Sequence, residues 1–501
     1  MTQRTPTTSL RVRAKLRRII IALICAIGLA WILFSSLQTI PRHFLDPIAV
    51  NTTSHSNTTT TNNTFSATIE VYQQAPLRVL SDAQILQLLR IELNEHRAGS
   101  LKEDDFAGAI RRVSLHKTLY EAHSKNVTEL TVPMEDLESL LFPWVKAGNK
   151  FKSISHLASS FTGRGIVMTT GRYHFEYARH AITVIRNLGC TLPIQLFYIG
   201  EDDLPKDNRD ALELISGVTT LDIKQYFEPN GPDLSGWAVK PFAILASSFE
   251  EIIFLDADAL FFQSPDVMFN WKAYNDTGAV FFMDRTLFAG TDSPGLKFFQ
   301  SIVPEPSEYA KTSGRLIPKL TVHEGESGVI VWNKRTNLHP LLLTCVMNGK
   351  PYRDMVYKAY HGDKESYWIA HEALKMPYRW APGAGGTVGF LKNATAEPTK
   401  VCGGLYHPDE NWKPLWFNGG ILRNKHSSDG QVSLSLTHWA TDRTFKSPQW
   451  EWETPTTPFC LLPNDSKTEF GELTAEEKKI AAMMVSSWDL LKLPVSKPSA
   501  G

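Results

Sequence analysis

Two aspartates one residue apart, Asp256 and Asp258, end the apolar part of the run EIIFLDADALFF, which extends from Glu251 to Phe262. The four residues before them, Ile252, Ile253, Phe254 and Leu255, read as a strand buried on both faces, of the kind found inside a parallel sheet. In open α/β sheets, ligands bind at the carboxyl ends of the strands. Two carboxylates delivered there can share a hard divalent cation, Mg²⁺ or Mn²⁺, which takes oxygen ligands and bridges protein to substrate phosphates. Two other readings compete. An Asp-x-Asp after a strand also makes a turn in which one carboxylate caps the next helix. An aspartyl phosphatase uses a strand-end Asp as nucleophile and a second Asp two residues on as general acid. That pattern continues with Thr or Val and opens its domain, whereas here Ala259 follows and a strand-helix-strand pattern lies upstream.

These residues need elements to position them. A helix over residues 235–248 (SGWAVKPFAILASS) directly precedes the aspartate strand and carries Lys240 among apolar neighbours. A lone lysine is usually solvated, but beside a diphosphate it supplies a point charge. Further upstream, residues 165–169 (GIVMT) form a short strand followed by Thr170 and Gly171, residues 175–188 carry helical spacing, and residues 194–199 form a second buried strand. This is a βαβ opening. It has neither GxGxxG nor GxxxxGK[ST], which argues against a nicotinamide or flavin cofactor and against a P-loop. Downstream, residues 279–284 and 328–332 read as two more buried strands, with Glu326 and Ser327 just before the second. Gly362, Asp363, Lys364 and Glu365 open a helix, where acidic residues suit the dipole. Cys402 to Asn418, rich in Gly and aromatics and carrying His407 and the run KPLW, reads as a binding loop. Residues 76–160 read as a helical shoulder interrupted at LFPW, where Pro143 ends a helix. Thr474 and Glu477 open a last amphipathic helix, with Ile480, Met484, Trp488 and Leu491 on the face that packs against the domain.

The chain of 501 residues is 43% apolar and 21% charged, ordinary globular composition. Formal net charge is zero, but Arg4, Arg11, Arg13, Lys15, Arg17 and Arg18 stand together at the start, leaving an acidic excess afterwards. Nothing points to nucleic acid. Uncharged residues 19–37 are long enough to cross a bilayer, and no small-residue cleavage site follows. The positive-inside rule then gives a cytoplasmic tail over residues 1–18, an anchor over 19–39, and a lumenal remainder. Residues 40–75 include a Ser/Thr/Asn tract that reads as a flexible stem, and 161–501 as the catalytic domain. Sequons at Asn51, Asn57, Asn62, Asn126, Asn275, Asn393 and Asn464 agree with the secretory pathway. Outside the span stand Cys190, Cys345, Cys402 and Cys460, which allow three pairings.

Taken in order, LFPW, GRGIVMTTG, WAVKPFAILASS, the aspartate strand, ESGVIVWNK and GDKE resemble the fungal Golgi α-1,3-mannosyltransferase family over roughly residues 137–439. The resemblance implies a GT-A type Rossmann-like α/β fold on a type II anchor in the Golgi membrane. It implies retaining transfer of mannose from GDP-mannose to a mannosylated glycan acceptor, Mn²⁺ as cofactor, and complexes with other Golgi glycosyltransferases; α-1,2 or other retaining nucleotide-sugar transfer on the same framework, and a non-catalytic lumenal glycan-binding or scaffold protein, are the alternatives. Asp256, Asp258 and His407 would hold the metal, since His407 precedes KPLW as the metal histidine precedes KPW in glycogenin-like transferases. Thr169, Thr170, Gly171 and Arg179 would line the nucleotide, with Lys240 at the diphosphate. Glu326, Ser327 and Gly328 would face the sugar, and Asp363 and Glu365 would stand beside the anomeric carbon, with Lys364 where relatives often have Gln.

Overall fold

A computed structural model describes residues 105–492 apart from 124–130, 148–149, 228–231, 393–399, 425–431, 444–448, 453–458 and 463–467, together with residues 83, 84 and 87. The expected anchor and stem lie outside these residues, as do the sequons at Asn51, Asn57, Asn62, Asn126, Asn393 and Asn464. No described helix is long and apolar enough to cross a membrane. All the described residues fall in one compact unit, Ser66–Gly501.

Its frame is a seven-stranded mixed sheet in the order β3-β2-β1-β4-β7-β6-β8. The strands β1 (Arg164–Thr169), β2 (Ile194–Tyr198), β3 (Val218–Asp222) and β4 (Glu251–Leu255) run parallel. The strand β7 (Gly325–Asn333) lies antiparallel between β4 and β6 (Ala279–Met283), and the short β8 (Arg379–Trp380) pairs with β6.

Period-two alternation sends neighbouring side chains to opposite faces. Val167, Phe197, Phe254 and Phe281 enter one core. Ile166, Leu196, Ile253 and Val280 enter the other. The first face is covered by the helical shoulder, including α1 (Phe106–His123) and α2 (Thr131–Leu141), together with α4 (Val239–Ala246) and α5 (Leu338–Asn348). Trp144, from the LFPW segment, packs edge-on against Phe242 with ring centroids 5.1 Å apart. His116 joins Glu138 at 3.2 Å and His339 at 3.0 Å, tying the shoulder to α5. The second face is covered by α3 (Phe175–Asn187), by α7 (Ala475–Lys492), and by a second, antiparallel sheet. The capping box that opens α7 is present, with Thr474 N–H donating to Glu477 and Glu477 N–H to Thr474 Oγ1.

The second sheet corrects one expectation. Residues 402–418 are not a loop but most of a hairpin, β10 (Lys400–Pro408) and β11 (Pro414–Asn418), with His407 opposite Trp416. The strand β11 continues onto the short β5 (Leu260–Phe261) just after the paired aspartates. β9 (Gly386–Lys392) and β14 (Phe459–Leu462) flank β10, and β12 (His438–Asp442) pairs with β9. The glycines that suggested a loop let the strands close up. A Cβ on Gly389 would lie 1.9 Å from the Cys402 carbonyl, and one on Gly403 would meet the Val388 carbonyl at the same distance. Of the three possible pairings, the disulfide is Cys402–Cys460, across β10 and β14, while Cys190 and Cys345 are buried and free.

Candidate functional site

Above the carboxyl ends of β1, β2 and β4 lies a cavity of about 390 Å³, within the range that holds a nucleotide-sized ligand. Thr169, Thr170, Gly171, Lys240, Asp256 and Asp258 all line it, joined by Tyr173, His174, Tyr198, Asp203, Trp237 and Asn418. Arg179 is half-buried on α3 and is not among the lining residues; His174 and Tyr173, from the turn before that helix, are.

Lys240 Nζ stands 2.7 Å from Asp256 Oδ1 and 2.9 Å from Oδ2, so it bridges both oxygens. It also donates to Ser327 Oγ at 3.3 Å and lies 3.9 Å from Asp363 Oδ1. Burial alone would lower the ammonium's pKa, but Asp256, Asp363 and Glu326 around it raise it above the ordinary lysine range. Asp256 is pushed up to about 6 by burial, with Asp258 and Asp363 adding to the shift against Lys240. The site is therefore held together by one cation among several carboxylates. The turn Asp256–Asp258 is fixed from below by its backbone, Asp256 N–H donating to Gly328 O and Gly420 N–H to Asp258 O.

The remaining expected residues divide. Asp363 sits beside Lys240, its Oδ2 accepting from Tyr367 OH at 2.8 Å and its Oδ1 from Ser327 Oγ at 3.4 Å. Glu326 Oε1 accepts from Asn418 Nδ2 at 2.7 Å and from Gly328 N–H at 3.0 Å. Burial, with Asp284 and Asp256 nearby, raises Glu326 to about 7. Gly328 has no room for a side chain, because a Cβ would lie 2.7 Å from Asn418 Nδ2. Glu365 stands apart. It is fully buried and accepts from Glu324 N–H, Gly325 N–H and Trp368 Nε1, so it anchors the start of β7 and does not line the cavity. Lys364 pairs with Asp284 at 2.7 Å.

His407 does not join the aspartates. Its buried ring stacks on Trp416 with centroids 4.5 Å apart and meets Phe282 edge-on, and burial lowers its pKa to about 3. Neither ring nitrogen has a hydrogen-bond partner among the described residues. Among those residues no group of three His, Cys, Asp or Glu stands together to hold a metal ion. Asp256 and Asp258 remain as two carboxylates suited to a hard cation that takes its other oxygens from a diphosphate.

Asn418 was missed as a site residue, although the stretch containing it drew notice. Trp237 was read only as an apolar position of the helix before the aspartate strand, and Asp203 gave no signal, because a single residue in a short turn carries no periodicity.

Residues 163–409 match the family model described as "Mannosyltransferase putative". Over these residues the chain is similar to this mannosyltransferase family. Similar proteins include "Putative alpha-1,3-mannosyltransferase MNN14" of Candida albicans, 27% identical over 317 residues, covering 55% of this chain and 45% of the relative. "Alpha-1,3-mannosyltransferase MNT3" of Saccharomyces cerevisiae is 25% identical over 338 residues, covering 60% and 52%. The chain thus spans about half the length of the curated relatives it matches. Among solved structures, galactosyltransferase LgtC in complex with donor and acceptor sugar analogs superposes with a TM-score of 0.30 at 10% identity, over 44% of this chain and 73% of that one. That likeness is too slight to carry weight.

Proposed function

We propose that this chain is a mannosyltransferase, retaining, Mn²⁺-dependent and of the GT-A type. It moves mannose from GDP-mannose to a mannose-containing glycan, forming an α-1,3 linkage, in the Golgi lumen behind a single type II anchor. The observation that carries the reading is the convergence of Asp256, Asp258 and Lys240 on the cavity at the carboxyl ends of β1, β2 and β4.

The chemistry follows from charge. Cleaving the sugar from a nucleoside diphosphate leaves negative charge on the departing phosphate, and preorganised positive charge is the largest aid to such a step. Asp256 and Asp258 would hold a divalent cation, which when bound would supply Lewis-acid stabilisation of that phosphate. Lys240 brings a permanent positive charge to the same place, already desolvated and aimed. Asp363, fixed by Tyr367 and Ser327 within 3.9 Å of Lys240, stands where it can face positive charge developing on the sugar. Thr169, Thr170 and Gly171 form the floor beside the nucleotide.

The test is incubation of the purified full chain with GDP-mannose, mannobiose and Mn²⁺. Expected are GDP release and a trisaccharide whose new linkage is α-1,3 by NMR, both abolished by chelation. GDP release without trisaccharide would remove the acceptor part of the reading, and no turnover of GDP-mannose would overturn it.

A further inference from the structure

We propose that the indole of Trp237 is the platform on which the acceptor sugar ring stacks, an inference that rests on the transferase reading above. Trp237 lies in the 3₁₀ turn Gly236–Ala238, directly before the helix that carries Lys240. It lines the cavity and is 47% exposed. It is also braced. The His361 ring lies 5.0 Å away and the Tyr357 ring 6.5 Å away. Gly362, at φ +74°, passes so close that a Cβ there would come within 2.8 Å of the indole. An aromatic held in place by its neighbours yet half in solvent is preorganised to cover an apolar face brought by a ligand.

Position decides which ligand. The end of the cavity formed by β1 and β2 has aromatics of its own in Tyr173, Phe197 and Tyr198. Trp237 instead touches the segment His361–Gly362, whose next residue is Asp363, beside Lys240 and Ser327. It therefore borders the place where the bond to the departing phosphate breaks, not the place for the base. What must arrive there with an apolar face is a second sugar. Hexose rings present patches of C–H groups that pack on aromatic faces, while their hydroxyls remain free for polar partners. The exposed His361 ring lies next to the indole.

The test compares Michaelis constants in the full chain. Trp237→Ala should raise KM for mannobiose on the order of tenfold and by more than it raises KM for GDP-mannose. Trp237→Phe should recover most of the loss, and His361→Ala should give a smaller rise of the same kind. If the larger rise falls on GDP-mannose, or KM for mannobiose does not move, the platform assignment is overturned. Intrinsic fluorescence provides a readout independent of turnover and uses the conservative variant, in case Trp237→Ala does not fold. Mannobiose should quench the wild type more than Trp237→Phe, and equal quenching overturns the proposal. A chain that shows the quenching difference but does not turn over GDP-mannose keeps the platform and loses the donor reading, so the two failures are distinguishable.

Discussion

The end of the first sheet and the interior of the second bury polar groups in opposite ways. At the first, Lys240, Asp256, Ser327, Asp363, Glu326 and Asn418 are joined by ion pairs and hydrogen bonds, and Lys240, Asp256 and Asn418 line a cavity. In and beside the second, the polar atoms of His407, Tyr406, Trp416, Thr387 and Thr441 are buried without a hydrogen-bond partner among the described residues. Buried side-chain polarity alone therefore does not mark a site. Opposed charges converging on an open volume do, because only there does keeping ionised groups out of water have a use that repays its cost.

The largest effect expected from testing this contrast is at Lys240. Lys240→Met should lower kcat on the order of a hundredfold or more. Lys240→Arg should not restore it, since a planar guanidinium cannot replace a point charge between two carboxylate oxygens. Retention of a tenth of the activity in Lys240→Met would show that the ammonium is structural.

Next comes the bridge that pins the second sheet. Replacing Cys402 and Cys460 together with Ala should cost about 2–4 kcal/mol in denaturant unfolding. The surviving folded fraction should keep its affinity for GDP-mannose, because the bridge lies away from the cavity. A large loss of donor affinity at low temperature would show that the two regions are not separable.

A smaller effect is expected from pH. His180 Nε2–H donates to the Met484 carbonyl at 2.8 Å, and burial lowers its pKa to about 4 from an ordinary 6.5. With the folded value depressed, the unfolded chain takes up the proton first. The contribution is therefore complete above pH 6.5 and is lost as pH falls towards 4, amounting to about 2 kcal/mol at pH 5. Melting curves of His180→Phe should show a shallower decline between pH 6.5 and 5 than the wild type, and parallel declines would remove His180 from the account.

The smallest effect should be at His407. Because its nitrogens have no partners, His407→Phe should change stability by no more than about 1 kcal/mol in either direction and leave the Mn²⁺ requirement within about twofold of wild type. Asp258→Asn should raise that requirement severalfold. Reversal of these two results would return His407 to the metal and erase the contrast between the regions.

The first region was largely legible in the sequence. Continuous apolar runs such as IIFL and the AVFFM of β6, short and rich in β-branched and aromatic residues, read as central strands, and a strand ending in two aspartates indicates which end matters. The second region was not, because Gly389, Gly403 and Gly404 look like loop residues until another strand is seen to need the space. His407 shows a different limit. Its spacing to KPLW survives in the hairpin, but the register opposite Trp416 turns the ring into the core, and register depends on partners far along the chain. Glu365 was misassigned for a related reason: sequence indicates a carboxylate near a helix start, not that two backbone N–H groups and an indole already occupy it.

The C-terminal helix α7 affects the order in which the protein is completed. Trp488 stacks on Tyr177 at 5.3 Å. Tyr177 in turn backs Gly420, whose amide supports the Asp258 carbonyl. The turn bearing the second aspartate thus rests, through one tyrosine ring, on a helix that leaves the ribosome on the order of ten seconds or more after it. Until then Tyr177 has no indole behind it, so a nascent chain carries both aspartates well before it carries the support that fixes their turn.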